Sequence, residues 1–424
     1  MKILLVAGAR PNFMKIAPII DAIKLYNSTI HNSLFTIHYK LLHTGQHYDD
    51  RMSRLFFDEL KIPRPDINLE VGSASHAKQI SEIMKRFEPI IKKEQPDIVI
   101  VVGDVNSTIA CSLVASKIEY PINQSTNQSN QRHRPLVAHV EAGLRSFDRS
   151  MPEEINRVLT DAIADLLFTT EESANKNLKR EGIAQDKIHF VGNVMIDTLL
   201  KHKQKAQRSD ILERLGFIDT STDNGQRITS YCVLTLHRPS NVDNKETFQD
   251  ILEALLVIAK ELPIIFPIHP RTLKRFHEFS FEKYFNSLST RNSQLATLNS
   301  GIYCLDPLGY LDFLHLITNA KLVLTDSGGI QEETTILGVP CVTLRENTER
   351  PVTVNKGTNF IAGIKKENII SAASSQLKKF NREGSSNNSQ SAIRNPELSI
   401  PPLWDGKAAN RIVDILIHRS KGKI

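Results

Sequence analysis

The chain of 424 residues is 40% hydrophobic and 24% charged, a composition typical of a globular protein with room for two hydrophobic cores. It contains no apolar run of about 18 residues, the length that a membrane-spanning helix requires. The net charge of +6 admits nucleic acid binding, but aromatic residues make up only 6% and the basic residues are spread along the chain, which disfavours that class. The same surplus of Lys and Arg suits an anionic small molecule such as a diphosphate.

The N-terminus and the cysteines indicate a cytoplasmic protein. The apolar start is brief and runs into Gly8-Ala9-Arg10-Pro11 without a small-residue cleavage site, so it predicts a first β-strand rather than a signal peptide. The four cysteines show no paired spacing, which predicts a reducing compartment with neither a disulfide framework nor a zinc site. They are Cys111, Cys232, Cys304 and Cys341.

Short β-branched runs that alternate with helical patterns recur along the whole chain. Runs of this kind predict parallel strands that helices cover on both faces. In the first half the predicted strands are Ile3–Val6, His38–Leu42, Ile98–Val102, Leu136–Val140, Leu166–Thr169 and Ile188–Val191. In the second half they are Tyr231–Leu236, Ile264–Ile268, Ile302–Leu305, Leu322–Thr325 and Val339–Leu344.

These two successive sets of strands predict an α/β protein with two Rossmann-like doubly wound domains and a ligand cleft between them. We place the boundary near Gly192–Thr198, which gives an N-terminal domain of residues 1–195 and a C-terminal domain of residues 196–424. The final predicted helix, Gly406–His418, is a candidate to pack back on the first domain. Two polar stretches, Asn123–Arg134 and Gly384–Asn395, are interpreted as surface insertions without an evident chemical motif.

The segment Leu322–Val339 has the pattern of a phosphate-binding turn. A buried strand ends at Asp326, Ser327-Gly328-Gly329 makes the turn, and a helix follows. Small residues there let phosphate oxygens reach the N–H groups at the helix N-terminus, and Glu333, just over one turn farther on, suits two ribose hydroxyls. The alternative is an ordinary tight turn whose glutamates only complement the helix dipole, because a Gly-Gly turn by itself is weakly specific.

A second candidate for anion binding opens the chain. Gly8-Ala9-Arg10-Pro11 ends the first strand, and Lys15 falls in the first turns of the next helix. The dipole disfavours cations at a helix N-terminus, so their presence suggests that an anion is recruited there. The alternative is a solvated Arg and Lys on a loop.

Polar residues follow predicted strands in both halves of the chain. Asp104 and Glu141 follow strands of the first half, and His237 and His269 follow strands of the second. A single histidine at a strand end is often structural, but four such residues at the ligand-binding edge of α/β sheets argue for one shared site.

Glu153 has two interpretations. Ser150-Met151-Pro152-Glu153 fits a capping box with Ser150 as N-cap and Glu153 at N3, and Arg157 lies four residues after Glu153. The segment is therefore explained without chemistry, and position alone leaves both a structural and a catalytic Glu153 open.

Taken together, these motifs resemble the non-hydrolysing UDP-N-acetylglucosamine 2-epimerase family. The likeness runs in order over about residues 1–365, outside the two polar insertions. Its motifs are GARPNFMKIAPI (Gly8–Ile19), TGQHYD (Thr44–Asp49), VVGDVNST (Val101–Thr108), HVEAGLRS (His139–Ser146), MPEEINR (Met151–Arg157), VGN (Val191–Asn193), LTLHRPSNVD (Leu234–Asp243), PIHPR (Pro267–Arg271), DSGGIQEE (Asp326–Glu333) and ENTERP (Glu346–Pro351).

The resemblance implies a glycosyltransferase-B-like fold, a homodimer, and the reversible conversion of UDP-N-acetylglucosamine to UDP-N-acetylmannosamine for surface polysaccharide precursors. Because the C2 proton is not acidic, the family eliminates UDP to a 2-acetamidoglucal and adds it back, which needs acid/base groups and a stabilised leaving diphosphate. The residues that match the family's catalytic positions are Asp104, Glu141, Glu153 and His237. Those matching positions around the diphosphate and sugar are Arg10, Lys15, Arg157 and His269, and those matching the nucleotide site are Ser327, Gly328, Gly329, Glu333 and Arg350.

The resemblance assigns the carboxylates and the sugar to the N-terminal domain and UDP to the C-terminal domain, with no metal or redox cofactor. Many bacterial relatives have Arg-Glu or Arg-Gln where this chain has Tyr48-Asp49, and Arg-Glu where it has Pro239-Ser240. Those regions contribute to an activating substrate site in regulated relatives, so activation by substrate is not carried over to this chain.

Four other functions fit parts of the pattern. A hydrolysing 2-epimerase would release UDP and free N-acetylmannosamine, and a related 2-epimerase would act on a UDP-sugar modified at C3 or C6. A glycosyltransferase would share the Gly-Gly nucleotide element but would not need carboxylates on both ring faces. A pure binding protein would leave the convergent ionisable residues unexplained.

Overall fold

The protein consists of two compact units, which the computed structural model describes for residues 1–29, 35–45, 57, 59–120, 134–217, 230–287, 300–381 and 399–421. One unit comprises Met1–Thr198 together with Pro402–Ile424, and the other comprises Leu199–Pro401. The insertions predicted at Asn123–Arg134 and Gly384–Asn395 lie outside the described residues, apart from Arg134.

The first unit is built on a sheet of parallel strands. These are β1 (Lys2–Ala7), β2 (His38–His43), β3 (Ile67–Asn68), β4 (Ile98–Val102), β5 (Leu136–Ala142), β6 (Leu166–Thr169) and β7 (Ile188–Phe190). Their order, β3-β2-β1-β4-β5-β6-β7, starts in the middle, winds to one edge and then winds to the other. The described pairings in this sheet are all parallel, so the carboxyl ends of its strands lie along one edge.

Helices cover both faces of this sheet because its strands are apolar on both sides. All five residues of β4, the run IVIVV, are buried, as expected of a β-branched strand inside a parallel sheet. On the helix His76–Glu94 the buried side chains Ile83, Phe87 and Ile91 recur every four residues, and they form one helix face against the core. The helices are α1 (Arg10–Thr29), α2 (His76–Glu94), α3 (Asn106–Lys117), α4 (Pro152–Ile163), α5 (Glu172–Arg180) and the first part of α6 (Val194–Ala206), whose residues from Leu199 on belong to the second unit.

The second unit repeats this architecture. Its strands are β8 (Cys232–Thr235), β9 (Ile264–Pro267), β10 (Asn286–Ser287), β11 (Ile302–Leu305), β12 (Leu322–Thr325), β13 (Cys341–Thr343) and β14 (Asn359–Ile361), and its helices are α7 (Ile211–Arg214), α8 (Pro239–Val242), α9 (Lys245–Ile258), α10 (Pro270–Glu278), α11 (Tyr310–Thr318), α12 (Gly328–Leu337), α13 (Pro351–Asn355) and α14 (Lys366–Asn381). The strand order is β10-β11-β9-β8-β12-β13-β14, and the described pairings are again parallel. β8 and β12 are neighbours, which places the turns that follow them side by side.

The C-terminal segment completes the first unit. Its helix is α15 (Ala408–Lys421), whose first two backbone N–H groups donate to the carboxylate of Asp197 at 3.2 and 2.7 Å. Just before the helix, the buried Trp404 donates from Nε1 to the carbonyl oxygen of Thr170 at 2.9 Å. These contacts hold the C-terminal segment against the first unit, which contains the N-terminus. None of the described helices is long and apolar enough to span a bilayer.

The predicted fold class, α/β with two Rossmann-like doubly wound sheets, is confirmed. Each predicted strand is present, and its ends coincide with the predicted ones or differ from them by at most two residues. Three strands were not predicted: β3, β10 and β14. They are two or three residues long and form sheet edges, where a strand lacks the long buried apolar run that marks the interior strands.

Candidate active site

The turn between β1 and α1 is organised by the side chain of Asn12. Its Oδ1 accepts hydrogen bonds from the backbone N–H groups of Gly8 and Ala9 at 3.0 and 2.8 Å, and its Nδ2 donates to the carbonyl oxygen of Val102 at 3.1 Å. A Cβ on Gly8 would collide with the side chain of Ser107, so only glycine fits there. Arg10, a predicted anion-binding residue, begins α1, but its side chain lies outside the described part of the chain.

Lys15 and Glu141 form a buried ion pair at the carboxyl edge of the first sheet. Lys15 Nζ lies 2.5 Å from Glu141 Oε2. Gly103 makes room for the pair, because a Cβ there would lie 2.9 Å from Lys15 Nζ. The predicted cation is therefore partnered with the predicted carboxylate, and an anionic ligand would meet Lys15 already paired.

The backbone of Glu141 is left-handed, with φ of 70°, which a residue with a side chain rarely adopts. It lies where the β5–β6 register shifts between Val140 and Ala142, so β5 carries a bulge. A bulge redirects the side chain next to it, and here that side chain is the carboxylate paired with Lys15.

A buried network of polar side chains connects β5 with Gly103 and with helix α4. His139 Nε2 lies 2.8 Å from the carbonyl oxygen of Gly103, and its Nδ1 lies 2.6 Å from Asp161 Oδ1. Asp161 also accepts from the backbone N–H of Gly143 and pairs with Arg145 at 2.7 Å. Burial opposes ionisation of Asp161, but His139 and Arg145 hold the pKa of its carboxyl below the ordinary value. The network fixes the backbone on either side of the Lys15–Glu141 pair.

Asp104 is held by Arg157 from helix α4. Arg157 Nη2 lies 2.5 Å from Asp104 Oδ2, and its Nη1 lies 2.6 Å from the buried carboxylate of Glu154. Asn156 adds a hydrogen bond from Nδ2 to the backbone carbonyl of Asp104 at 2.9 Å. The Asp104 carboxylate remains 28% exposed, so it is oriented by α4 and still open to solvent.

The predicted capping box at the start of α4 is wrong. Met151 is the N-cap, Pro152 is the first helical residue, and Ser150 donates instead to Asp148 Oδ1 at 2.6 Å. Proline is favoured at the first helical position because its φ is preset and it lacks an N–H to satisfy. Glu153 thereby moves to N2; it is half-buried and makes no hydrogen bond or ion pair with any residue that the structure describes.

In the second unit, His237 lies two residues beyond the end of β8 and faces Asp326, which directly follows β12. His237 Nδ1 lies 3.1 Å from Asp326 Oδ1, and the backbone N–H of His237 donates to Asp326 Oδ2 at 2.8 Å. The ring of His269 lies 5.4 Å from that of His237, centroid to centroid. His269 itself caps α10, because its Nδ1 accepts from the backbone N–H of Arg271 at 3.1 Å. The two histidines thus share one strand-end surface.

The turn Ser327-Gly328-Gly329 leads into the N-terminus of α12, as predicted. Ser327 is the N-cap, and its side chain accepts no hydrogen bond from the helix, so the first N–H groups of α12 are not capped by it. Arg350 packs directly over this turn, since a Cβ on Gly328 would lie 2.7 Å from its Nη1. Glu332 binds Arg350 Nε at 2.5 Å, and Glu349 lies 3.7 Å from its Nη1. The helix N-terminus and a fixed guanidinium together offer donors suited to phosphate oxygens.

Glu333 lies one turn into α12 and is buried. Its Oε1 accepts a hydrogen bond from the hydroxyl of Tyr310 at 3.1 Å. Burial raises the pKa of the Glu333 carboxyl to about 8, the hydrogen bond from Tyr310 lowers it, and the charge of Glu332 raises it further. Glu333 is thus largely protonated at neutral pH unless a ligand supplies hydrogen-bond donors.

The predicted residues form separate groups within each unit. In the first unit, Lys15 lies with Glu141, and Asp104 lies with Arg157. In the second, the two histidines form one group, and the turn before α12 forms another with Arg350. Most of the TGQHYD motif, from residue 46 to 49, lies outside the described residues.

The sequence analysis missed four supporting residues, two of which had a signal in the sequence. His139 is a polar residue inside a fully buried strand, and Asp326 ends another such strand. Glu154 and Tyr310 lacked a comparable pattern, because their roles depend on partners distant in the fold or on the start of a helix. These four residues hold or orient the predicted ones.

The chain matches known proteins over most of its length. A family model described as UDP-N-acetylglucosamine 2-epimerase matches residues 30–417. The UDP-N-acetylglucosamine 2-epimerase of Methanocaldococcus jannaschii is 42% identical over 421 residues, which cover 99% of both chains. The UDP-2,3-diacetamido-2,3-dideoxy-D-glucuronate 2-epimerase of Pseudomonas aeruginosa is 37% identical over 382 residues, 89% of this chain and 93% of the relative.

A crystal structure of the Methanocaldococcus jannaschii UDP-GlcNAc 2-epimerase, in complex with UDP-GlcNAc and UDP, superimposes with a TM-score of 0.79 and 40% identity. The match covers 99% of this chain and 100% of that one. The predicted family is therefore confirmed on sequence and on fold. The chain belongs to the UDP-N-acetylglucosamine 2-epimerase family, a family of isomerases.

Proposed function

We propose that this protein is a non-hydrolysing 2-epimerase that interconverts UDP-N-acetylglucosamine and UDP-N-acetylmannosamine. The observation that carries the proposal is the full-length match to a relative crystallised with UDP-GlcNAc and UDP. The geometry supports it: a helix N-terminus with a fixed arginine suits a diphosphate, and oriented carboxylates suit proton transfer at a sugar carbon.

The second unit is proposed to hold UDP. The N–H groups at the start of α12 and the guanidinium of Arg350 bind the diphosphate, and Glu333 binds the ribose hydroxyls. His269 and His237 follow neighbouring strands of this sheet. His269 stabilises charge on the leaving diphosphate, and His237 supplies an imidazole for proton transfer. Tyr310 keeps the Glu333 carboxyl oriented.

The first unit is proposed to carry the acid/base groups. In the elimination step a carboxylate removes the C2 proton while the C1–O bond breaks and UDP leaves with the electron pair. In the reverse addition, a proton is returned to C2 from the opposite face and the C1–O bond forms again. Asp104, Glu141 and Glu153 are the proposed groups. Arg157 pairs with Asp104 and Lys15 pairs with Glu141, whereas Glu153 has no ion pair among the described residues.

The protein is proposed to act as a homodimer in the cytoplasm. Three large apolar side chains of the first unit are exposed on or beside α4: Phe147, Ile155 and Leu159. An exposed group of this kind is typical of a protein interface. Light scattering after size-exclusion chromatography measures the mass, and a monomer at micromolar concentration contradicts this part of the proposal.

The reaction is tested by incubation with UDP-GlcNAc in deuterated water, followed by NMR. Deuterium at C2 of UDP-linked N-acetylmannosamine is the expected result. Free N-acetylmannosamine with stoichiometric UDP would instead identify a hydrolysing enzyme. Absence of C2 exchange on every UDP-N-acetylhexosamine tried contradicts the proposed chemistry.

A second substrate is favoured by one observation, the 37% identical Pseudomonas aeruginosa relative named for a diacetamido uronic acid substrate. The described site residues address UDP and C2, which the two sugars share, and not the substituents at C3 and C6. A side-by-side measurement of kcat/KM for both UDP-sugars distinguishes the two assignments.

A further inference from the structure

The buried carboxylate of Asp326 joins the turns that follow β8 and β12. Its Oδ2 accepts from the backbone N–H groups of His237 and Arg238 at 2.8 and 2.7 Å, and Asn241 Nδ2 lies 3.3 Å away. Asp326 is fully buried, whereas the side chain of His237 is 37% exposed. One oxygen of the carboxylate is thus committed to the backbone of the loop that carries His237.

The other oxygen, Oδ1, faces the imidazole. His237 Nδ1 lies 3.1 Å from Oδ1, which among the described residues accepts no hydrogen bond of good geometry. A buried acceptor without a donor costs stability, so the proton of the neutral ring is favoured on Nδ1. Burial opposes the charge on Asp326, but His237 and the two backbone donors hold the pKa of this carboxyl below its ordinary value, which keeps it an acceptor.

A proton on Nδ1 leaves Nε2 of His237 with its lone pair. That nitrogen lies on the opposite side of the ring from the nitrogen that faces Asp326, in a side chain that is 37% exposed. It can accept a proton from a reacting group and return it, whereas the opposite tautomer could only donate.

The same carboxylate also lies next to the phosphate-binding turn. Asp326 immediately precedes Ser327-Gly328-Gly329. The ends of β8 and β12 are also joined by a hydrogen bond between Thr235 Oγ1 and Thr325 Oγ1, which lie 2.6 Å apart. Thr325 Oγ1 in turn accepts from the backbone N–H of Ser327 at 3.0 Å. The position of His237 is therefore tied to the turn that begins α12.

From this geometry we propose that Asp326 is a positioning residue: it selects the Nδ1–H tautomer of His237 and aligns that imidazole with the nucleotide-binding turn. Asp326 does not touch the substrate. The proposal rests on the proposed function for the role of His237, but the tautomer itself is a property of the protein alone. The competing interpretation is that Asp326 only holds the loop in place, by accepting hydrogen bonds from the backbone N–H groups of His237 and Arg238.

Asp326→Asn separates these interpretations because the loop decides how the new amide is oriented. The two backbone N–H donors require an acceptor, so the amide oxygen takes the place of Oδ2 and the NH₂ group faces the imidazole. His237 Nδ1 must then accept, and its proton moves to Nε2. The variant therefore keeps the hydrogen bonds to the backbone of the loop and reverses the tautomer of His237.

The direct test is ¹⁵N NMR of the full chain labelled on histidine, at a pH where the ring is neutral. His237→Asn identifies the resonances by their loss. We expect an Nδ1–H ring in the wild type, an Nε2–H ring in Asp326→Asn, and no change in the matched control Asp312→Asn, whose carboxylate binds Ser209 and Arg214. An Nε2–H ring in the wild type overturns the proposal even if no variant folds.

The kinetic test asks whether the two residues act together. We expect Asp326→Asn to lower kcat about 100-fold while the affinity for UDP, measured by calorimetry, stays within about threefold. In the His237→Asn background the same change should lower kcat no further, because coupled residues are not additive. Two results would overturn the proposal and support a purely structural role for Asp326. One is a loss of UDP affinity in Asp326→Asn with an unchanged tautomer, and the other is a further loss of about 100-fold in kcat in the double variant.

The two proposals fail in different ways. A wild-type protein that epimerises no UDP-sugar contradicts the proposed function, and the NMR measurement still decides the tautomer. If His237→Asn keeps full activity, the catalytic assignment of His237 is wrong, and so is the functional part of the proposal for Asp326.

Discussion

Burial raises the pKa of both buried carboxylates compared here, and the neighbours of each one decide whether its pKa ends above or below the ordinary value. Glu333 and Asp326 are both buried. Burial and the nearby Glu332 raise the pKa of Glu333 to about 8, because its hydrogen bond from Tyr310 does not compensate. Asp326 has an imidazole and two backbone N–H groups close by, so its pKa is lowered despite burial. At neutral pH the first is mostly neutral and the second is charged.

The raised pKa of Glu333 predicts a pH-dependent affinity for UDP-GlcNAc. A carboxylate that accepts both ribose hydroxyls must be ionised, whereas free Glu333 keeps its proton up to a pH of about 8. Binding below that pH therefore releases a proton, and the affinity rises about tenfold per unit between about pH 6 and 8 and then levels off. Calorimetry at several pH values, in buffers of different ionisation enthalpy, measures the affinity and the proton release.

The Glu333→Gln variant is the control for this prediction. It cannot ionise, so its weaker affinity should show little dependence on pH in the same range. UDP-GlcNAc keeps a constant charge there because both ends of its diphosphate are esterified. A wild-type affinity that does not change with pH, without proton release, contradicts the prediction.

At the level of single elements, the first turn of α4 carries two consecutive glutamates with different surroundings. Glu154 is buried, binds Arg157 at 2.6 Å and accepts from the backbone N–H groups of Ser146 and Phe147. Glu153 is half-buried and unpaired among the described residues. The helix therefore uses Glu154 to hold the preceding loop, and Glu153 is the glutamate that we propose for proton transfer.

This difference predicts opposite effects of the same substitution. Glu153→Gln should lower kcat by about 100-fold or more, as expected for a lost acid/base group, with little change in the melting temperature. Glu154→Gln should lower the free energy of unfolding by roughly 3 kcal/mol, because it removes the partner of a buried guanidinium. Steady-state kinetics and chemical denaturation of both variants measure the two effects.

The two neighbouring variants serve as controls for each other. An unchanged free energy of unfolding for Glu154→Gln would show that the ion pair with Asp104 is enough to compensate the buried charge of Arg157. A Glu153→Gln protein that keeps its activity but unfolds at lower temperature would return Glu153 to a structural role.

On the scale of the whole molecule, the last residues of the chain belong to the unit that contains the first. Trp404 is buried and donates to Thr170, and Asp197 caps α15. We expect Trp404→Ala to lower the free energy of unfolding by about 3–5 kcal/mol, the usual cost of removing a large buried aromatic side chain. Urea denaturation followed by circular dichroism measures the change.

Arg419→Ala is the matched control in the same segment. Its side chain is half exposed and pairs with Asp186 at 3.9 Å, so the expected change is below about 1 kcal/mol. Equal, small effects of both substitutions would mean that the C-terminal segment contributes little to the first unit.

The sequence predicted the interior strands and the polar residues after them, but not every helix boundary near the candidate site. The interior strands were predicted because a strand covered on both faces needs a continuous apolar run, and Asp104, Glu141 and His237 stood out because such runs end at them. The start of α4 was predicted wrongly, because Ser150 and Glu153 fit a capping pattern at the right spacing. Only the helix itself shows that Pro152 takes the first position.

The sequence by itself determined the family, the two parallel-sheet units and the identity of the polar residues at strand ends. It did not determine which of those residues are partners. Lys15 and Glu141 are 126 residues apart, Asp104 and Arg157 are 53 apart, and His237 and Asp326 are 89 apart. Strand order and helix placement bring such residues together, and these follow from how the apolar faces pack. The tertiary structure therefore decided the charge, orientation and support of each group, since all three depend on neighbours that are distant along the chain.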